Sequence, residues 1–478
     1  MKMVSNTNIH RTNGILPRTP LRILSLSLLI TATTVSAMTT PIHISKRGSS
    51  MESFKVMDVL QRANELEASG RKILHCEVGQ PESGAPANVA KAAITALSGP
   101  PRQVMGYTEA FGLPGLRSKI AEHYIKKYKL SGLETRVDTK QIVITTGSSG
   151  GFLLLFTACF DAGDTIAVGS SGYPCYRNIL GALGCQVATV KLNAEFKFTA
   201  VELSLEIARR KNLGEDPLKG LILSSPSNPT GAMLNPVELE ALCKVCEENG
   251  VQFISDEIYH GISYGKEEAT ALQFSEKAVV INSFSKYYSM SGWRLGWIVI
   301  PPALIDPINS LQQNMFINAP TISQTAALQC WEDDTIAELE THVTKYATSR
   351  TVILDALRQI PELTCSFLTG EDKPTETDGV VDESKANIAP ADGGFYVYID
   401  LGTSNVSEGY GSVAMCRALL EDEGVAFTPG VDFEDPTGVL GDRRVRISYA
   451  GGIDTATEAM ERFTAFWPKW LAKVRANQ

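Results

Sequence analysis

The sequence predicts an α/β protein, with a large, mostly parallel sheet sandwiched by helices and a smaller α+β domain beside it. Three observations carry this. Short apolar runs bounded by turn residues alternate with helical patterns from about residue 141 to 300, as expected for strands buried on both faces by crossover helices. Past about residue 340 the order loosens into a long helical pattern, two strand patterns and a last helix, the mixture of an α+β unit. The length, 478 residues, is more than one hydrophobic core fills.

Taken in order, the first fifty residues hold no Asp or Glu, and Lys2, Arg11, Arg18 and Arg22 precede an apolar run from Ile23 to Ala37. This pattern suggests a targeting leader over residues 1–43, for secretory or organellar routing; without it the compartment would be the cytoplasm. The run is too short and too hydroxyl-rich for a membrane span, so no stable membrane association is expected. Val56 to Ala68 then reads as an amphipathic helix stopped by Gly70. Lys72 to His75 leads into the loop 79–84. Gln141–Thr146, Thr165–Val168, Val187–Val190, Gly220–Ser224, Val251–Ser255 and Val279–Ser283 read as strands, and Ser149–Phe160 as a helix. Asn235 and Pro236 open a further helix with Leu239, Leu242, Val245 and Cys246 on one face, closed by Gly250. Thr335–Gln359 reads as one long helix. The acidic stretch Thr369–Lys385 has no apolar period and is expected to be a mobile surface insert. Gly394–Leu401 and Arg444–Tyr449 read as strands, and Asp454–Val474 as the final helix.

Composition narrows the function. The net charge of −9 argues against nucleic acid as a partner. Nine cysteines without a dense framework favour a reducing compartment. Cys243 and Cys246 form a C-x-x-C inside a helical pattern with no second pair at zinc-like spacing, so a core role is expected and no metal.

The chemistry centres on Ser283-Phe-Ser-Lys286 and Gly292-Trp-Arg294, set between two apolar strands. A surface lysine has a pKa of about 10.4; burial beside other cations lowers it and makes the amine a Schiff-base nucleophile. Alone, such a lysine reads as a solvent-facing strand end. Gly147-Ser-Ser-Gly-Gly151 joins a strand to a helix, and its amides suit a phosphate. The same residues spell G-x-S-x-G, a hydrolase elbow with Ser149 as nucleophile; the histidines downstream, His260 and His342, both lie before the C-terminal region where the third triad member is expected. Ser283-x-x-Lys286 also fits an acyl-enzyme motif, but its S-D-N and K-T-G companions are absent from the chain. Asn228-Pro-Thr-Gly is in isolation a good turn. Asp256 closes a buried strand, where a carboxylate needs a cation or hydrogen bonds. Arg294 and Arg446 each suit an ion pair, and Tyr107 and Tyr173 ordinary packing.

As a set, Asn228-Pro-Thr-Gly, Asp256-x-x-Tyr259, Ser283-x-Ser-Lys286 and Gly292-Trp-Arg294 resemble the fold-type I, class I/II pyridoxal-phosphate aminotransferases. Val78-Gly-Gln-Pro81, Tyr107-Thr-Glu-Ala-Phe-Gly112, Gly394-Phe-Tyr396 and Arg444-Val-Arg446 complete the set in that family's order. The resemblance runs from about Ile44 to the C-terminal helix. It implies a seven-stranded sheet in a cofactor-binding domain (96–340) and a small domain from segments 44–95 and 341–478. It further implies pyridoxal 5′-phosphate held on Lys286 as a Schiff base, with the amine later shuttling a proton at the substrate Cα. Asp256 would pair with the pyridine nitrogen, Asn228 and Tyr259 with the phenolate oxygen, and Tyr173 would stack on the ring. Ser148, Ser149, Gly150, Ser283 and Arg294 would hold the phosphate, and Arg446, with Gly79 and Asn228, the substrate carboxylate. Tyr107 would reach a neighbouring subunit's phosphate, implying a homodimer. The activity implied is ping-pong transfer of an amino group from an L-amino acid to a 2-oxo acid, 2-oxoglutarate by analogy, with aspartate as first donor and alanine or aromatic donors as alternatives. No basic residue for a dicarboxylate's distal acid is identifiable. A β-eliminating or cyclising lyase of the same fold is the runner-up.

Overall fold

The computed structural model describes residues 42–51, 53–99, 105–128, 137–363 and 387–478. The expected leader, up to residue 41, and the acidic insert 369–385 lie outside the described residues. The chain divides into Met1–Ile44 and Ser45–Gln478. Of the first unit, residues 42–44 are exposed and without regular structure.

The second unit is built on a seven-stranded sheet. Its order is Ile142–Thr145, Gly296–Val299, Val279–Ser283, Gln252–Asp256, Leu218–Ser224, Thr165–Gly169 and Gln186–Val190. Only Gly296–Val299 runs antiparallel to its neighbours; the other pairings are parallel. Away from the edge strand Gln186–Val190 both faces are largely buried, which is why the inner strands read as apolar runs. Ile142, Ile144, Leu221, Phe253 and Val280 pack into the core on one side, and Val143, Ile166, Ile222, Ile254 and Ile281 into the core on the other. Side chains alternate across a strand, so each run feeds two cores.

One helix begins where the sequence places its cap. Asn235 accepts from the Glu238 amide at 2.9 Å, and Glu238 accepts from the Asn235 amide at 2.8 Å. This reciprocal cap opens Pro236–Glu248, whose Leu239, Leu242, Cys243 and Cys246 are buried. Cys243 and Cys246 are core residues, and burial pushes the Cys243 thiol up to about 12. Helix Ala200–Leu213, in a stretch the sequence reading left unassigned, opens on the same kind of cap at Thr199 and Glu202. The long helix spans Asp333–Arg358, so the expected boundary at 340/341 falls inside it.

A four-stranded antiparallel sheet follows in the order Thr428–Pro429, Arg444–Ser448, Tyr396–Asp400 and Asn387–Ile388. Leu74–His75 pairs in parallel with Val425–Ala426, tying the N-terminal segment to the C-terminal one. The final helix, Ile453–Arg475, buries Phe463, Phe466, Trp467 and Trp470. Among the described residues, no helix is long and apolar enough to cross a membrane.

Candidate active site

Five strands of the large sheet deliver their carboxyl ends to one place, where open α/β sheets bind ligands. Thr145 leads to Ser148, Gly169 to Tyr173, Ser224 to Asn228, Asp256 to Tyr259, and Ser283 to Lys286. They surround a cavity of about 290 Å³ that Gly79, Ser148, Ser149, Tyr173, Asn228, Asp256, Tyr259, Lys286, Arg294 and Arg446 all line. Stretches more than 300 residues apart thus meet at one cavity.

Lys286 Nζ donates to the Gly79 carbonyl at 2.6 Å and sits 5.6 Å from the ring centres of Tyr259 and Phe395. Burial, reinforced by the charge of Arg446, lowers its pKa to about 8, although Asp256 pulls the other way. Asp256 is 1 % exposed. Burial pushes its carboxyl up to about 7, against the opposing hydrogen bond from the Tyr176 hydroxyl. Its other oxygen accepts from the Ile258 amide at 3.2 Å. The hydrogen-bond donors to this buried acid, Tyr176 and the Ile258 amide, are neutral, and a protonated ring nitrogen would supply a charged one.

The opposite wall is Arg446, 4 % exposed. Its guanidinium is sandwiched 4.4 Å from the Tyr396 ring and 4.5 Å from Phe433. Nη1 donates to Asn228 Oδ1 at 2.9 Å and Nη2 to the Glu77 carbonyl. Nε is buried with no protein partner, so the fork keeps a donor to offer. Tyr259 and Tyr396 share a hydroxyl–hydroxyl bond of 2.8 Å. Gly79 has to be glycine here, because a Cβ would stand 1.6 Å from Tyr396 Oη.

The third wall suits an anion. Helix Gly147–Cys159 starts at the cavity with no side-chain cap, leaving its first amides free to meet a phosphate. Arg294 bends over it; a Cβ on Gly147 would lie 2.6 Å from Arg294 Nη2. Amine, buried acid and a helix start suited to an anion together fit pyridoxal phosphate.

Three expected residues do not line the cavity. Ser283 is buried at a strand end, its hydroxyl 2.9 Å from Ser285 Oγ; Ser285 is the one that faces the cavity. Gly150 lies one turn inside the helix, packed toward Thr146 and Phe316. Tyr107 is 83 % exposed. Conversely, Tyr176, Ser285 and Tyr396 line the cavity although the residue-by-residue reading gave them no role. The spacing Tyr173-x-x-Tyr176 was the available signal for the first, because the two rings meet edge to face at the start of helix Cys175–Leu183, 5.7 Å apart. Neither histidine available to the hydrolase alternative lines the cavity that holds Ser149: His260 is bonded to Tyr128 and the Ser225 carbonyl, and His342 approaches Ser289.

The lowered amine makes a prediction. Cofactor-free protein should take up pyridoxal phosphate faster as pH rises, levelling off above about 8, where the Lys286 amine is already neutral. A solvent-facing lysine would instead keep gaining reactivity to about pH 10.4. The rise in absorbance on mixing, followed from pH 6 to 10, distinguishes the two.

Comparison with known proteins agrees with this geometry. The sequence profile of the family described as "Aminotransferase class I and II" matches residues 71–463. The valine–pyruvate aminotransferase of Mycobacterium tuberculosis is 40% identical over 418 residues, 87% of this chain and 96% of that protein. The (5-formylfuran-3-yl)methyl phosphate transaminase of Methanocaldococcus jannaschii is 32% identical, over 89% of this chain and 100% of its own length. A crystal structure of an aminotransferase from Mycobacterium tuberculosis superposes with a TM-score of 0.78 at 39% identity, covering 89% of this chain and 99% of that one.

Proposed function

We propose, the chain being a member of the class I and II aminotransferases and a pyridoxal-phosphate-dependent aminotransferase, that its donor is a small aliphatic L-amino acid such as valine or alanine and its acceptor a small 2-oxo acid such as pyruvate. The observation carrying this is the lining of the cavity. Its apolar lining includes Phe54, Val56, Met57 and Val78. Among the described lining residues the cations are Lys286, Arg294 and Arg446, each with a role already. The second carboxylate of aspartate or 2-oxoglutarate would meet no cation there, whereas a branched alkyl group would meet apolar surface. The name of the 40%-identical relative points the same way.

The cofactor, when bound, supplies an electron sink for the developing charge at Cα. The protein supplies the rest. Arg446 would hold the α-carboxylate with charge-assisted bonds and so set the direction of the Cα–H bond. Lys286 would take that proton; an amine with a pKa near 8 suits such exchange at neutral pH. Asp256 would keep the ring nitrogen protonated, and Asn228 and Tyr259 would bond the phenolate oxygen. Ser148, Ser149 and Arg294 would bind the phosphate. Tyr107, exposed on one protomer, would reach the partner's phosphate in a homodimer.

Initial rates with paired substrates test the donor. Valine with pyruvate should give a kcat/KM at least about tenfold above aspartate with 2-oxoglutarate, the scale on which an apolar pocket discriminates. A preference for aspartate would overturn the reading.

A further inference from the structure

The apolar lining of the cavity is held in an unusual way. Phe54 stands at the start of helix Lys55–Ala68 and gives it no side-chain cap. The first two helical amides are met from the far end of the chain: Lys55 N donates to Asp432 Oδ1 at 2.6 Å and Val56 N to Asp432 Oδ2 at 2.7 Å. Asp432 is 5 % exposed and ends the short turn Gly430–Asp432. An ionised carboxylate is costly to bury unless donors meet it, and the amide end of a helix is a favourable place for one. Arg177 fixes the same turn from behind, donating to the Asp432 carbonyl and, at 2.9 Å, to the Glu434 carbonyl. The next residue, Phe433, is one of the two rings that sandwich Arg446. One carboxylate therefore ties the wall that would grip the substrate carboxylate to the turn that faces its side chain.

That turn brings three side chains to the cavity. Phe54 rests on Tyr173, with ring centres 6.1 Å apart, and Val56 and Met57 complete the surface. Met57 is 52 % exposed, so neighbouring side chains hold it only in part. The backbone bonds to Asp432 do what packing leaves undone.

We infer that Asp432 is a positioning residue for substrate selection: it holds the Phe54–Met57 turn against the cavity and so fixes the apolar surface that distinguishes a branched donor from alanine. The inference rests on the aliphatic-donor reading above. An isopropyl side chain offers that surface more apolar area than a methyl group does. Loosening the turn should therefore cost valine more than alanine, and cost it in KM.

The test uses the full chain loaded with cofactor and the variants Asp432→Ala and Asp432→Asn. Hydrogen–deuterium exchange of the peptide spanning residues 53–60 reads the anchor, and donor kinetics read its consequence. Asp432→Ala should exchange there at least about tenfold faster and lower the valine-to-alanine ratio of kcat/KM by about tenfold, mostly through KM. Asp432→Asn should fall between, since its one carbonyl oxygen keeps one of the two amides. Should Asp432→Ala fail to fold, Asp432→Asn carries both readouts. Unchanged exchange would show that Asp432 is no anchor; faster exchange with an unchanged donor ratio would show a cap without a role in selection. Either overturns the inference. If the unmodified enzyme used neither valine nor alanine, the aliphatic reading would fail separately, and the ratio would be taken between the longest and shortest donors it accepts.

Discussion

Lys286→Ala is expected to lower transaminase turnover by at least about 10⁴-fold, while the protein still folds and still binds pyridoxal phosphate reversibly. The size follows from two roles resting on one amine. It would hold the cofactor covalently, and it would be the base at the substrate Cα, where positioned proton transfer alone contributes about 10²–10⁴-fold. No neighbour replaces it. Asp256 is engaged by Tyr176 and the Ile258 amide, and Tyr259 by Tyr396. Folding should survive because the lysine's described bond, to the Gly79 carbonyl, links the side chain to a loop at the cavity and not to the core. Turnover assayed beside cofactor retention on gel filtration checks both halves. A variant keeping a tenth of the activity would exclude this amine as the reactive group.

Arg446→Lys is expected to keep the cofactor spectrum and lose about 10²-fold in kcat/KM. Lysine preserves the charge but not the planar fork. A charge-assisted hydrogen bond contributes about 1.5–3 kcal/mol, so one lost prong costs between one and two orders of magnitude. The protein side loses as well. Asn228 Oδ1 and the Glu77 carbonyl now accept from the two ends of the guanidinium, and an ammonium cannot reach both while lying flat between Tyr396 and Phe433. The loss should be similar for every amino acid, because all share the α-carboxylate. That uniformity separates it from Asp432→Ala, whose effect should follow side-chain length. Unchanged kcat/KM in Arg446→Lys would remove the assignment.

The central sheet was legible in the sequence for a simple reason. Strands buried on both faces are apolar over most of their length, so Ile142–Ile144 and Val279–Ile281 stand out as apolar runs that end in polar residues. The site was legible because its residues follow strand ends directly, at Asn228, Asp256 and Lys286, where little can intervene between sequence position and location in space. What escaped reading was set by contacts distant in sequence. Nothing beside Asp432 in the chain shows that it caps a helix opening at Lys55. Ser285 and Ser283 are two residues apart with the same side chain; the turn of the backbone alone decides which faces the cavity and which turns inward. Tyr176 escaped because a tyrosine on a mixed helix face reads as packing, and its hydroxyl has a purpose only once Asp256 is placed beside it.

The most direct measurement is borohydride reduction of the cofactor-loaded protein, followed by peptide mapping. The account predicts one pyridoxyl group, on the Nζ of Lys286, and loss of the visible absorption in step with its formation. Reduction that leaves Lys286 unmodified, or places the pyridoxyl group on another lysine, would contradict it.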